Sequence, residues 1–474
     1  MKFVWPLKSR ISELWHEHCY ENYILTQGLS TEMLRAFLGG LHLMYGTKSS
    51  ISLLTKAAWG VFVALLAVFL PLSLSGCKNT DKADETTVKV GILHSLSGTM
   101  QISESSLKDA ELMAIEEINA AGGVLGKKID PVVVDPASDF NKKFPELAKK
   151  LLLKDKVAVV FGCWTSVSRK NVLSTFEENN GLLFYPVQYE GNESSRNVVY
   201  TGAAPNQQIL PAVEWLIEKK GCKSFYLLGT DYVFPRTANL IIVKYLESKK
   251  LKVVAEQYTP FSHKDYATIV QDIKDKKPDV IFSTINGDSN TNFYNELESQ
   301  KITAKDIPVI AVSVGEDELR TLEPAKVKGH YAAWNYFQSI KSDKNKEFVE
   351  KFQAKYGKDR VTDDPIAAAY AQVYLWKLAV EKAKSFDVDK VRDAMLTGTI
   401  EFDAPEGKIK IDPKTLHTYK HFRLGKIRDD KQFDIEFETP LIEPDPYPQI
   451  AFPGWSCDHT KGGVTKGQSV KVGN

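Results

Sequence analysis

Between Val88 and Val312 the sequence alternates short β-branched runs with stretches whose apolar residues recur at helical spacing, and no other feature narrows the possible folds as far. Val88-Lys89-Val90-Gly91-Ile92-Leu93 is the first run; a Ser/Gly loop follows, then Leu107, Ala110, Met113, Ala114 and Ile118 on one helical face. The pattern returns at Val132–Val134, Val157–Phe161 and Gly181–Phe184. A second series places strands at Phe225–Leu228, Lys252–Val254, Val280–Phe282 and Val309–Val312, with helices over Arg236–Ser248, Tyr266–Lys276 and Asn292–Gln300. Apolar strands separated by helices belong in parallel sheets covered on both faces. The loops at Ala203–Pro205 and near Ala333–Asn335 predict passage between two such sheets. The expected class is therefore α/β, with two lobes, each a parallel sheet flanked by helices, joined by multiple hinge crossovers. Residues 88–204 with about 335–400 are expected to form lobe 1, and 205–334 with about 401–440 lobe 2, the stretch 400–438 reading as antiparallel strands.

Ahead of this pattern, Ala57–Leu74 is an almost uncharged apolar run that leads into Leu74-Ser75-Gly76-Cys77. A basic flank, an apolar core and small residues before a cleavage point describe an export signal, and the ending resembles a bacterial lipobox, with Cys77 as the lipidated residue. A transmembrane helix is the competing reading, since about 20 apolar residues span a bilayer; Pro71 interrupts the run late. The expectation is a signal peptide over 44–76, with Met44 as its start and Lys48 and Lys56 as its positive region, then a tether over 77–87. Residues 1–43 are expected to be a start-site artefact or a disordered leader, or else a cytoplasmic extension, and 458–474 a flexible tail.

Several functions find no support. Sixty-one basic and sixty acidic residues leave a formal charge of +1, so nothing points to nucleic acid as a partner. The five cysteines lack zinc or CxxC spacing, and the nine histidines show no ligand spacing. Gly122-Gly123-Val124-Leu125-Gly126-Lys127 fails as a phosphate loop, because Ala121 stands where the first glycine belongs and Lys128 where Ser or Thr belongs. No nucleophile elbow, HExxH helix or dinucleotide fingerprint occurs. No enzyme activity, cofactor or metal is expected.

Ligands of open α/β sheets sit beyond the carboxyl ends of the strands, which singles out six loops, at 95–105, 162–168, 185–191, 229–235, 286–290 and 332–336. They carry Trp164, Tyr185, Tyr189, Tyr232 and Trp334, five rings that could wall a slot for a small, flat, uncharged guest. Any one ring taken alone reads more readily as ordinary core packing; it is the five together at strand-end loops that favour the slot. Ser166 is placed to meet a ligand carbonyl at a helix N-terminus, or to cap that helix. Asp288 follows a strand and a glycine, so its carboxylate either accepts ligand N–H groups or caps the helix beginning near Thr291. Glu104 either accepts in the same way or opens its helix. Gln188 offers donor and acceptor, against plain solvation.

The segments Ser105–Glu111, Phe161–Ser166, Leu183–Gly191, Asp231–Asn239, Asn286–Asn290 and Ala332–Phe337 carry a resemblance that runs from Val88 to about Cys457. The chain resembles the type I periplasmic binding proteins of branched-chain amino-acid transport, and looks most like their urea-binding branch. The resemblance implies a bilobed, non-enzymatic clamp in the periplasm or at the cell surface. It would take urea or a similar neutral amide to the permease and ATPase subunits of an ABC importer, held to the membrane by its lipid anchor. A short-chain amide or branched-chain amino acid as ligand, or an amide-sensing regulator, are the alternatives. The amino-acid pattern is only partly met, since no arginine stands in the matched loops.

Overall fold

The computed structural model describes residues 86–468. The expected leader, signal peptide, Cys77, the tether up to residue 85 and the last residues of the tail lie outside the described residues.

Strands β1 (Thr87–Leu93), β2 (Lys128–Val134), β3 (Val160–Gly162), β4 (Leu183–Tyr185) and β5 (Val198–Tyr200) form a parallel sheet in the order β2-β1-β3-β4-β5. The short strands β3, β4 and β5 are buried throughout, so both faces need cover. Helices Gln101–Ala120 and Asp364–Ala383 supply part of it, packed on each other. The second sheet is built from β6 (Ser224–Thr230), β7 (Lys252–Thr259), β8 (Val280–Thr284), β9 (Val309–Ala311), β10 (Tyr331–Trp334), β13 (Arg423–Ile427) and β14 (Phe433–Glu438), in the order β14-β13-β10-β9-β8-β6-β7. Its edge strands β13 and β14 run antiparallel.

The crossovers fall where the loop chemistry places them, after β5 and after β10, with a further one before β13. Asn335 ties all three together: its side-chain amide donates to the carbonyls of Gln207 (3.0 Å) and His421 (2.7 Å). A single buried side chain thus spans the hinge.

Two expectations change. The hairpin of β11 (Glu401–Ala404) and β12 (Gly407–Lys410) was assigned with 401–440 to lobe 2, yet Ile400, Ala404, Ile409, Ile411 and Leu416 are buried in the core of lobe 1. Apolar residues on the hairpin's inner face take the nearest apolar surface, here the long helix before it. The tail beginning at 458 is ordered through residue 468. It starts with a hairpin of β15 (Ser456–Asp458) and β16 (Gly463–Thr465), fastened by the His459 amide to the Lys414 carbonyl at 2.7 Å and by His459 Nε2 to Ser194 Oγ at 3.0 Å. Among the described residues no helix is long and apolar enough to cross a membrane, and Cys163, Cys222 and Cys457 are free thiols.

Candidate functional site

The carboxyl ends of both sheets face each other, and the lobes are closed. Ser103 Oγ donates to Glu318 (2.7 Å) and Ser106 Oγ to Asp317 (2.6 Å) across the gap, and Thr99 Oγ1 donates to Asp288 (2.8 Å). Gly287 marks how tight the approach is: at φ +67° it takes a left-handed conformation, and a side chain there would meet Thr99 and Met100 of the opposite lobe at 3.2 Å.

In lobe 1 the wall begins at the end of β1. Glu104 is fully buried. One of its oxygens accepts the Ser95 amide at 2.6 Å and stands 3.6 Å from His94 Nδ1, an ion-pair distance rather than a hydrogen bond; the other, Oε1, has no protein donor. His94 Nε2 meets Glu111 at 2.9 Å. Burial alone would lower the His94 pKa, but Glu111 and Glu104 outweigh it and raise it to about 9, so the imidazole is charged at neutral pH.

The next loop turns sharply at Cys163, a buried non-glycine residue at φ +67°. Strain of this kind is held by its surroundings and gathers at functional sites; here it brings Trp164 round from the end of β3. The Tyr185 hydroxyl donates to the Trp164 carbonyl at 2.5 Å. Beside them Arg169 lies over the rings of Tyr185 and Tyr189, 4.7 Å from each centroid. Its guanidinium is spent on Glu193 (2.7 Å), Glu190 (3.2 Å) and Ser166 Oγ (3.1 Å). Burial would raise the Glu193 pKa; Arg169 and Lys170 overcome this and hold it at about 2.

Lobe 2 contributes differently. Tyr232, at the start of the Val233–Ser248 helix, is partly exposed and packs on Phe261 at 4.9 Å. Burial raises its hydroxyl pKa well above normal, and Tyr185 and Glu190 of lobe 1 add to the shift. From β9 the chain offers the Val312 carbonyl and the Ser313 hydroxyl to Gln188 Nε2, at 2.8 and 2.9 Å. Those acceptors fix the amide's orientation, and they leave Gln188 Oε1 buried without a donor.

Gln188 thus reaches lobe 2 and Glu104 lies beside the end of β1, whereas Trp164 and Tyr185, although on strand-end loops, are buried in the apolar core of lobe 1, and Tyr232 packs on Phe261. Other expectations need correction. Tyr189 turns into lobe 1, its ring stacked on Tyr200 at 4.9 Å and His417 at 5.5 Å, with its hydroxyl 2.6 Å from His417 Nε2. Trp334 is buried in the core of lobe 2, its indole N–H donating to the Val314 carbonyl at 2.8 Å. Ser166 does not cap its helix; Thr165 does, accepting from the Ser168 amide. The Ser166 hydroxyl is committed to Glu190 and Arg169. Asp288 makes no cap bond and instead latches the mouth through Thr99 and Ser262. A groove of about 950 Å³ outside this latch is lined by Thr99, Ser106, Arg320 and Arg360. A concavity of about 790 Å³ lies at the opposite end of lobe 2, beside Lys220 and Lys305.

His94, Arg169, Glu190, Glu193 and the carboxylates Glu316–Glu318 escaped the sequence reading. Glu104 and Glu111 stand two helical turns apart, a spacing that puts both under the end of β1; that was the signal available for His94.

With this geometry in place, residues 88–452 match the model of the periplasmic binding protein domain. The chain belongs to the periplasmic binding protein family. It is a solute-binding protein, and membership implies an extracytoplasmic location. A leucine-, isoleucine-, valine-, threonine- and alanine-binding protein of Pseudomonas aeruginosa is 24% identical, over 74% of this chain and 92% of its own. Among solved structures, the solute-binding protein of an ABC transporter from Rhodopseudomonas palustris in complex with 3,4-dihydroxybenzoic acid superposes with TM-score 0.67 at 22% identity, covering 76% of this chain and 98% of its own. A branched-chain amino acid transporter substrate-binding protein from Streptococcus pneumoniae in complex with isoleucine gives 0.65 at 20%, over 76% and 100%. These relatives of the periplasmic binding protein are binding proteins by name, and the solved ones share its two-lobed fold.

Proposed function

We propose that this periplasmic binding protein captures urea by closing its lobes, and delivers it to the permease and ATPase subunits of an ABC importer. One observation carries the reading: at the facing loop ends two buried acceptors, Glu104 Oε1 and Gln188 Oε1, lack protein donors. A buried acceptor left unpaired costs about 1–3 kcal/mol, so the guest that suits this site is rich in N–H. Urea presents four N–H bonds and one carbonyl on a flat frame. A short-chain amide shares half of that pattern. A zwitterionic amino acid brings a carboxylate too, and the nearby cations are already spent, Arg169 on Glu190 and Glu193 and His94 on Glu111. Contacts made to both lobes at once would shift the population toward the closed form.

Isothermal titration calorimetry with urea, acetamide and leucine tests the proposal: urea heat is expected, and leucine heat without urea heat overturns it. Anchoring through a lipid on Cys77 is part of the same proposal, supported by the lipobox-like Leu74-Ser75-Gly76-Cys77. Mass spectrometry of the membrane-bound protein would find a mature chain beginning with acylated Cys77, and an intact residue 76–77 bond would refute it.

A further inference from the structure

We propose that His94, held from behind by Glu111 and Gln372, is a positioning residue that fixes the unpartnered Glu104 oxygen toward the N–H groups of the ligand. The inference rests on the urea reading and deepens it, by naming what makes one carboxylate oxygen a fixed anionic acceptor.

The geometry is a relay of fully buried groups running inward from the site. Glu104 faces His94 Nδ1 at 3.6 Å, and His94 Nε2 meets Glu111 at 2.9 Å. Gln372, on the long helix of lobe 1, donates to the same Glu111 oxygen at 2.9 Å, while its own carbonyl accepts Thr201 Oγ1 at 3.1 Å. Thr201 in turn lies 3.1 Å from the Tyr185 carbonyl. The relay therefore starts at one binding loop and ends at another. A buried histidine with one carboxylate partner is explained as a structural ion pair. Here a single imidazolium faces two carboxylates, and each keeps an oxygen without a protein donor, Glu111 Oε2 in the interior and Glu104 Oε1 beside the strand-end loop. Of the two, Glu104 is the one bonded to that loop, through the Ser95 amide, which makes its free oxygen the one offered to a ligand.

Charge reinforces the assignment. Held beside protonated His94, a carboxylate with a free oxygen favours N–H donors and disfavours a ligand carboxylate. Glu111 is itself raised by burial, with His94 opposing the shift; three neighbours hold their state across the relevant range. Burial pushes the Cys163 thiol and the Tyr185 hydroxyl far up, so both stay neutral, and Arg169 stays charged. Loss of the His94 proton near pH 9 would free the imidazole from Glu104 and weaken ligand binding at alkaline pH.

The buried carboxylates of the lobe interface also titrate on the way there, Glu318 at about 7 and Glu316 at about 8, so a pH profile of the natural protein alone does not isolate His94. Comparison with Glu111→Gln does. That substitution keeps the hydrogen bonds to His94 and Gln372, removes the charge that most raises the histidine pKa, and leaves Glu316 and Glu318 untouched.

The experiment is urea calorimetry on the full chain from about pH 6 to about pH 10. In the natural protein the alkaline limb is expected near pH 9; in Glu111→Gln it should move down by about one pH unit or more. His94→Gln should bind about tenfold more weakly at neutral pH and lack that limb. If His94→Gln fails to fold, the Glu111→Gln comparison and a titration of the His94 ring by NMR decide. Urea heat with a limb unmoved by Glu111→Gln overturns the relay while sparing the urea reading. No urea heat at any pH overturns both.

Discussion

The two lobes face the same gap but build their walls from different material. Lobe 1 lays charge into its interior: His94 between Glu104 and Glu111, and Arg169 between Glu190 and Glu193, all buried. Lobe 2 offers backbone carbonyls, hydroxyls and the edge of Tyr232, and it meets lobe 1 through side chains such as Glu318 and Asp288. A wall of interlocked ions is rigid because each buried charge is costly to uncouple. A wall of carbonyls and hydroxyls adjusts at little cost. The difference teaches a division of labour: lobe 1 presents a preformed half-site in either state of the hinge, and lobe 2 completes it on closing.

Breaking lobe 1's charge should have the largest effect. Arg169→Met strands Glu190 and Glu193 in the interior, and about 3–5 kcal/mol of stability should vanish in guanidinium denaturation. The matching change in lobe 2, Arg320→Met, removes a half-exposed pair with Asp317 and should cost under about 1 kcal/mol. Equal losses would erase the contrast between lobes.

The pH dependence comes next. His94 is raised to about 9 in the fold, so its contribution is complete below the unfolded value of about 6.5 and is lost as pH rises through 9. Glu318 and Glu316, raised chiefly by burial to about 7 and 8, add to the same trend, because the folded protein holds protons that unfolded carboxyls release near pH 4.5. Glu193, held at about 2, works oppositely and protects only above that range, its benefit fading as acid protonates it. Melting temperature should therefore be highest in mildly acidic buffer and decline from about pH 5 to about pH 9, by a few degrees for each kcal/mol lost. A flat profile would contradict the shifted groups His94, Glu316 and Glu318.

Binding effects are smaller. Glu104→Gln in lobe 1 removes the charged acceptor and should weaken urea by about 1.5–3 kcal/mol, whereas Tyr232→Phe in lobe 2 should cost no more than about 1 kcal/mol, both read by calorimetry. Smallest of all is the latch. Asp288→Asn keeps one acceptor for Thr99 and Ser262 and should change affinity by less than about 1 kcal/mol, chiefly by speeding dissociation in stopped-flow measurements.

Much of this was legible before any coordinates. The alternating runs located β6, β8 and their helices closely, because strands buried on both faces have no choice but to be uniformly apolar. The loops at strand ends pointed to Gln188, which does reach across to lobe 2, for the same topological reason. Tyr189 and Trp334 went astray because a ring at a strand end can turn either to the gap or into its own lobe, and loop position does not say which; Arg169 beside Tyr189, and the Val314 carbonyl above Trp334, decided the matter. Ser166 was misjudged by one residue, since Thr165 and Ser166 are both competent caps and only backbone geometry separates them.

What the sequence by itself determined is the alternation of strand and helix, the two-lobed α/β class and the set of loops from which a site had to be drawn, because period and burial are local properties of the chain. Which of the charged residues would share an interior was decided by tertiary structure alone. His94, Glu111 and Gln372 span hundreds of positions and yet meet within hydrogen-bond reach, and the energy of a buried charge depends on partners that no local pattern records.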